Sequence, residues 1–196
     1  MRVLVACEFS GIVRDAFAAK GHDAWSCDIL PTEKPGNHIQ GDVLEILNDG
    51  WDLMIAHPPC TYLSYAATRW WNDPGRIWKR IDALTFFAKL WTAPIGKICI
   101  ENPMGCASPT IAKYSQIVQP YYWGDAESKR TCLWLKNLPL LKHIDKDSLF
   151  DKKTSVDPKI YGYFKNGPKK GQPIYGTQYC KFSDDRWHIR SRFFKA

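Results

Sequence analysis

Two short apolar runs in this sequence each end by handing an ionisable side chain to a proline-stiffened turn. Asp52-Leu53-Met54-Ile55-Ala56-His57 leads into Pro58-Pro59-Cys60-Thr61, and Lys97-Ile98-Cys99-Ile100 leads into Glu101-Asn102-Pro103. Proline cannot continue a central ladder, so each run reads as a buried strand forced to turn at its carboxyl end. In open α/β sheets that edge is where ligands bind. A thiol placed there suits nucleophilic catalysis, because cysteine carries some thiolate at neutral pH and is intrinsically reactive. A carboxyl group there suits general acid or base work. If the two strands are neighbours, Cys60 and Glu101 face one cavity. For a cysteine taken alone, a place in the core is the commoner role, so the rest of the chain has to decide.

The elements that must position these residues follow an alternating order. Residues 2 to 7 form a nearly all-apolar run, as buried parallel strands are. Glu8-Phe9-Ser10-Gly11 is a turn, Ile12 to Lys20 carries apolar residues at helical spacing, and Gly21 ends that helix. Asp23 to Cys27 reads as a second strand closed by Asp28. A turn, a helix, a strand and then an acid is a common way to hold a nucleotide-like cofactor, the carboxylate accepting from ribose hydroxyls. An Asp after a strand is also an ordinary turn residue. Leu30 to Gly36 is loop, and His38 to Leu44 a second acidic loop in which Asp42 either accepts from an exocyclic amine or caps a helix over 43–48. Thr61 to Asp73 holds Tyr62, Tyr65, Trp70 and Trp71, suited to a flap over a pocket or to stacking bases. Apolar spacing predicts a helix over 76–91, with Asp73 and Pro74 at its start. Gly105 to Tyr114 starts a helix, Gln116 to Tyr121 is a strand, and Thr131 to Leu135 another, the last two closing as a hairpin. From Asn137 the periodicity fades, and no regular element is assigned over 151–182.

Composition sets the frame. At 196 residues the chain is long enough for a sizeable core. No apolar segment approaches the roughly 20 residues that span a bilayer, and the first residues start a strand rather than a signal peptide, which predicts a cytoplasmic protein. The seven cysteines are odd in number and show no CxxC pairing, so neither a disulfide framework nor a zinc knuckle is indicated, and no metal site is expected. The net charge of +7 is concentrated: residues 151 to 196 hold eleven Lys or Arg against four Asp, which accounts for all of it. A basic segment on a neutral body points to a polyanionic partner. Within it Lys169, Lys170, Arg186, Arg190 and Arg192 suit phosphate contact.

Taken together, these landmarks resemble the DNA (cytosine-5) methyltransferases, in particular the compact phage-type DNA methylases. The resemblance spans roughly residues 2 to 136 as an ordered series. Phe9-Ser10-Gly11 is similar to the family's cofactor-binding turn, without the usual run of glycines. Asp28 stands where an acid holds the cofactor ribose, with Ile29 beside it to pack on adenine. Asp42 matches the acid that accepts from the adenine amino group, with Val43 its neighbour. Pro59-Cys60 matches the Pro-Cys of the catalytic loop, placing Pro59 at the cofactor. Glu101-Asn102 matches the Glu-Asn motif, with Pro103 where valine is usual. Ser128-Lys129-Arg130 resembles the basic motif whose arginine helps place the cytosine, which assigns Arg130, with Lys129 the alternative and a DNA contact.

The resemblance implies a Rossmann-like S-adenosylmethionine-dependent methyltransferase fold. It implies a mostly parallel sheet, a terminal antiparallel hairpin and an irregular basic C-terminal segment. The catalytic domain would cover 1–136, and 137–196 would stand in for a target-recognition region. The activity implied is methylation of cytosine carbon 5 in duplex DNA with S-adenosyl-L-methionine as cofactor. A thiolate from Cys60 adds to carbon 6, Glu101 stabilises the adduct at nitrogen 3 and the amino group, and the base is extruded from the helix. Amino-methylating relatives end this strand in a Pro-Pro-aromatic loop, so Cys60 in that place argues for carbon methylation. Two other readings stand beside this one: the same chemistry on a free cytosine nucleotide, and a degenerate methyltransferase fold serving as a DNA-binding module.

Overall fold

The computed structural model describes residues 1–147, 151 and 153–175. Its first unit comprises Met1–Ile117 with Thr131–Leu140. In chain order the elements are β1 (Arg2–Ala6), α1 (Ile12–Ala18), β2 (Asp23–Asp28), β3 (His38–Gln40), β4 (Leu53–Ala56), α2 (Pro74–Trp91), β5 (Lys97–Pro103), α3 (Ala107–Thr110), β6 (Gln116–Val118) and β7 (Thr131–Lys136). The seven strands form one sheet in the order β3-β2-β1-β4-β5-β7-β6. The pairings from β3 through β5 are parallel, and β7 runs antiparallel to β5. The protein is thus mixed α/β with a mostly parallel sheet.

Strand alternation sorts the core into two layers. Val3, Val5, Ala24 and Leu53 point to one face, where Val13 and Phe17 of α1 cover them. Leu4, Ala6, Met54, Ala56, Ile98 and Ile100 point to the other, where Phe87 and Leu90 of α2 bury against them. Phe87 meets the buried Trp134 of β7 edge to face, ring centres 4.9 Å apart. Cutting such a ring back to alanine costs about 3–5 kcal/mol. Asp73 starts α2 by accepting from the Gly75 amide at 2.9 Å, with Pro74 at the first helical position.

The differences from the sequence reading are local. His38–Gln40 is an edge strand rather than a loop, because Ser26, Cys27 and Asp28 supply a parallel partner. The helix over 43–48 shrinks to a 3-10 turn at Val43–Glu45, and the helix starting at Gly105 to the four residues of α3. The strand over 116–121 stops at Val118, where Pro120 opens a 3-10 turn.

The second unit takes Val118–Arg130 and the described residues from Leu141 onward. Here β8 (Ile160–Tyr163) and β9 (Pro173–Tyr175) pair as an antiparallel hairpin, where no regular element was expected. Its turn is closed by bonds between Phe164 and both Gly171 and Gln172. Tyr122 and His143 stack nearly coplanar at 4.0 Å, and Thr154 Oγ1 donates to the Tyr122 carbonyl. Among the described residues, no helix is long and apolar enough to cross a membrane.

Candidate active site

The strands β4 and β5 are direct neighbours, with Ala56 opposite Ile100. The strand β5 runs on through Glu101 and Asn102 to Pro103 rather than ending at Ile100, because β7 pairs with it antiparallel as far as Thr131, so Glu101 lies on the strand and not on a turn. The turn after Ala56 leaves the sheet beside this strand end, and three further contacts stitch the two segments together. Asn102 Nδ2 donates to the Pro58 carbonyl at 2.7 Å. The Tyr65 amide donates to Met104, and the Cys106 amide to Leu63. Gly105 lies so close to the Leu63 backbone that a Cβ there would fall 2.0 Å from its carbonyl oxygen. The Cys60 carbonyl accepts from the amides of Leu63 and Ser64, which winds the chain into a turn directly after the thiol. Cys60 itself is exposed, and so is Pro59.

Glu101 is 8% exposed, and its Oε2 stands 3.5 Å from Nδ1 of His57. The His57 backbone is held by its own amide donating to the Ala6 carbonyl. Oε1 of Glu101 is buried and has no hydrogen-bond partner among the described residues; the same is true of Oδ1 of Asn102. Buried carboxyl oxygens are normally satisfied, because desolvating one without a partner is costly. The Glu101 oxygen is the one a polar ligand at the sheet edge would engage.

The other strand-borne cysteines are poor nucleophiles. Burial, reinforced by Asp28, pushes the Cys7 thiol up to about 12, and burial with Glu101 does the same for Cys99. Burial and Asp28 raise Cys27 to about 11. Thiols so raised hold almost no thiolate at neutral pH.

The other half of the edge lies at the ends of β1 and β2. Cys7 takes a left-handed backbone conformation with φ 59°, uncommon for a residue with a Cβ. Glu8, buried just after it, caps α1: its carboxylate accepts from the amides of Val13 at 2.7 Å and Arg14 at 3.2 Å and from the Ser10 hydroxyl. Arg14 is 1% exposed and ties the following loop to the helix. Its guanidinium meets Asp15 at 2.8 Å and donates to Ser26 Oγ, Thr32 Oγ1 and the carbonyls of Lys34 and Pro35. Gly11 and Gly36 form the walls of its slot, since a Cβ on either would come within 2.6 Å of the guanidinium. Gly11 is therefore glycine both for its left-handed φ and for Arg14. Neither Glu8 nor Arg14 is apparent from the sequence as a site residue; a Glu just ahead of a helix start was the one local signal.

Ile29 is 74% exposed on this anchored loop. Its carbonyl accepts from Gln40, and the Leu30 carbonyl lies 3.0 Å from His38 Nε2. Asp28 Oδ1 accepts from the Leu30 amide and Asp42 Oδ1 from the Leu44 amide, so each carboxylate spends one oxygen on a local cap. Both carboxylates act electrostatically on Cys7 and Cys27, which gathers them around one spot. An exposed aliphatic side chain beside two carboxylates suits a ribose and a flat base. Val43 is buried in the core, whereas Phe9 is half-buried and its carbonyl accepts from Glu33.

Arg130 is exposed and Lys129 half-buried, both in the second unit just ahead of β7. Lys169 and Lys170 are exposed at the β8–β9 turn. Arg186, Arg190 and Arg192 lie outside the described residues. Among the described residues no three His, Cys, Asp or Glu side chains cluster as a metal site. No protein-family model matches the chain, and no curated protein matches it.

Proposed function

We propose that this protein is an S-adenosylmethionine-dependent DNA cytosine C5 methyltransferase. The observation that supports the reading is the buried Oε1 of Glu101, without a hydrogen-bond partner among the described residues, on a strand end stitched to the turn that exposes Cys60. An acid on one strand end and a thiol on the neighbouring turn are what addition to carbon 6 of cytosine requires. A pure DNA-binding module needs neither.

The chain's residues divide the work. Cys60 as thiolate forms the bond to carbon 6, which makes carbon 5 nucleophilic. Glu101 hydrogen-bonds nitrogen 3 and the amino group, so the ring's developing charge meets a placed group rather than water. Asn102 keeps the strand end and the turn in register through Pro58. The β1–β2 edge fits the cofactor: Asp28 and Asp42 each retain an oxygen beyond their local caps, and Ile29 offers an exposed apolar surface for adenine. S-adenosylmethionine, when bound, supplies the methyl group. Water then takes the carbon 5 proton, the C–H electron pair restores the 5,6 double bond, and the bond from carbon 6 to sulfur breaks to return Cys60 as thiolate.

The test is a duplex oligonucleotide carrying 5-fluorocytosine, in which that proton is replaced and the adduct is trapped. With cofactor present, wild-type protein should gain the mass of the DNA strand, and Cys60→Ala should not. Transfer of labelled methyl groups to ordinary duplex DNA should be lost in both Cys60→Ala and Glu101→Ala. Intact, cofactor-binding protein that never forms the adduct would overturn the proposal.

A further inference from the structure

In the stretch that follows the exposed thiol, α2 carries two cations with no counter-ion among the described residues. Arg76 donates to the carbonyl of Thr61, the residue after Cys60, at 3.2 Å, and its guanidinium sits 4.9 Å from the centre of the Tyr62 ring. Lys79, three residues on and so on the same helix face, brings its ammonium to 5.7 Å from that ring. Among the described residues neither cation has a carboxylate within ion-pair distance. Asp73 is occupied with the Gly75 amide, and Asp82, three residues beyond Lys79, makes no ion pair with it. The first turn of α2 contains no acidic residue. Arg80, by contrast, is committed to the fold: it stacks 3.5 Å from Trp71 and donates to the Trp71 carbonyl.

We infer that Arg76 and Lys79, set over Tyr62, form a phosphate-binding subsite for the strand that presents cytosine to Cys60. The inference rests on the function proposed above and names a contact it does not require. Arg76 is fixed by the backbone beside the nucleophile, so a phosphate it holds is tied to the register of the reacting base. Lys79 adds a second, more mobile charge. The Tyr62 ring lies against both charged ends and keeps them together. The subsite positions without reading sequence, as phosphate contacts do.

The experiment measures binding to a cytosine-containing duplex by fluorescence anisotropy over a range of salt, for wild type, Arg76→Ala, Lys79→Gln and the double variant. Each single change should weaken binding several-fold at low salt and flatten the dependence of log Kd on log salt by about one charge. Arg76→Lys should restore the slope, and S-adenosylmethionine binding by calorimetry should stay at wild-type strength. A double variant with the wild-type slope and affinity overturns the subsite while leaving the methyltransferase reading intact. Wild-type protein that binds no DNA at low salt sinks that reading instead. In that event, calorimetric binding of dCMP that the double variant loses would keep the subsite and assign it to a free nucleotide's phosphate. Absence of dCMP binding as well would remove both.

Discussion

The side-chain amide of Asn102 donates to the carbonyl oxygen of Pro58, so the residue after the candidate acid holds the backbone two residues ahead of the candidate nucleophile. Of everything at the sheet edge, this bond couples the two chemical groups most directly. Asn102→Ala leaves the Pro58 carbonyl without its partner, which costs about 1–3 kcal/mol. The expected result is a lowered denaturation midpoint together with adduct formation at least ten-fold slower. A variant that keeps wild-type adduct rates would show that the two segments hold their places without the bond.

Gly105 answers to a different constraint. Its missing Cβ leaves room for the Leu63 carbonyl, a backbone atom that cannot swing aside. Gly105→Ala should therefore cost more than about 2 kcal/mol or pull the two turns apart. Thermal denaturation reads the first outcome and alkylation of Cys60 the second. An alanine variant unchanged in both would mean that the approach is less close than 2.0 Å.

His57 is a positioning residue for Glu101, its Nδ1 lying 3.5 Å from Oε2. Removing the ring in His57→Ala frees the carboxyl to rotate, and adduct formation should fall about ten-fold or more. Asparagine places an amide nitrogen near the position of Nδ1, so His57→Asn should recover much of that loss. Cofactor affinity should not move in either variant. Equal defects in the two would reduce His57 to a packing role.

The thiols of the half-buried Cys7 and Cys99 and the buried Cys27 make stability depend on pH on the alkaline side. Cys7 and Cys99 are pushed from the ordinary 9.0 to about 12 and Cys27 to about 11, in each case chiefly by burial. Above pH 9 the unfolded chain gives up protons that the folded chain keeps, so stability falls as pH rises from about 9 toward 12. The contribution is fully present below 9. Urea midpoints measured under reducing conditions should decline over that range more steeply in wild type than in Cys7→Ala/Cys99→Ala. Parallel curves for the two proteins would refute the assignment.

Much of this arrangement was legible in the residues, and the parts that were not share a cause. The runs leading to Cys60 and Glu101 announced their strands because apolar content is a local signal, and the sheet places them side by side. The stop expected at Glu101 was misplaced, because β7 supplies an antiparallel partner as far as Pro103, which no local window contains. The long helix α2 followed from its spacing in the same way. The strand His38–Gln40 has three residues and exists because β2 lies beside it, which no window of sequence contains. The hairpin of β8 and β9 was hidden because Lys, Gly, Pro and Tyr give no period of two. In the candidate site, Asp42 is a cap, one of the two roles its position allowed. His57 was passed over as the last residue of a strand. Its pairing with Glu101 depends on a neighbouring strand 44 residues away.

The slot around Arg14 also constrains how this chain can change over time. Gly11 and Gly36 stand 25 positions apart, yet each faces the same guanidinium, which its many bonds keep from yielding. Neither glycine can acquire a side chain while the arginine is in place, and the arginine cannot leave without releasing the loop that carries Ile29. The three positions are therefore inherited as one character. Loss of the arginine would not by itself open either position, since both glycines also hold a positive φ that disfavours a side chain. Related chains that keep the arginine should keep both glycines.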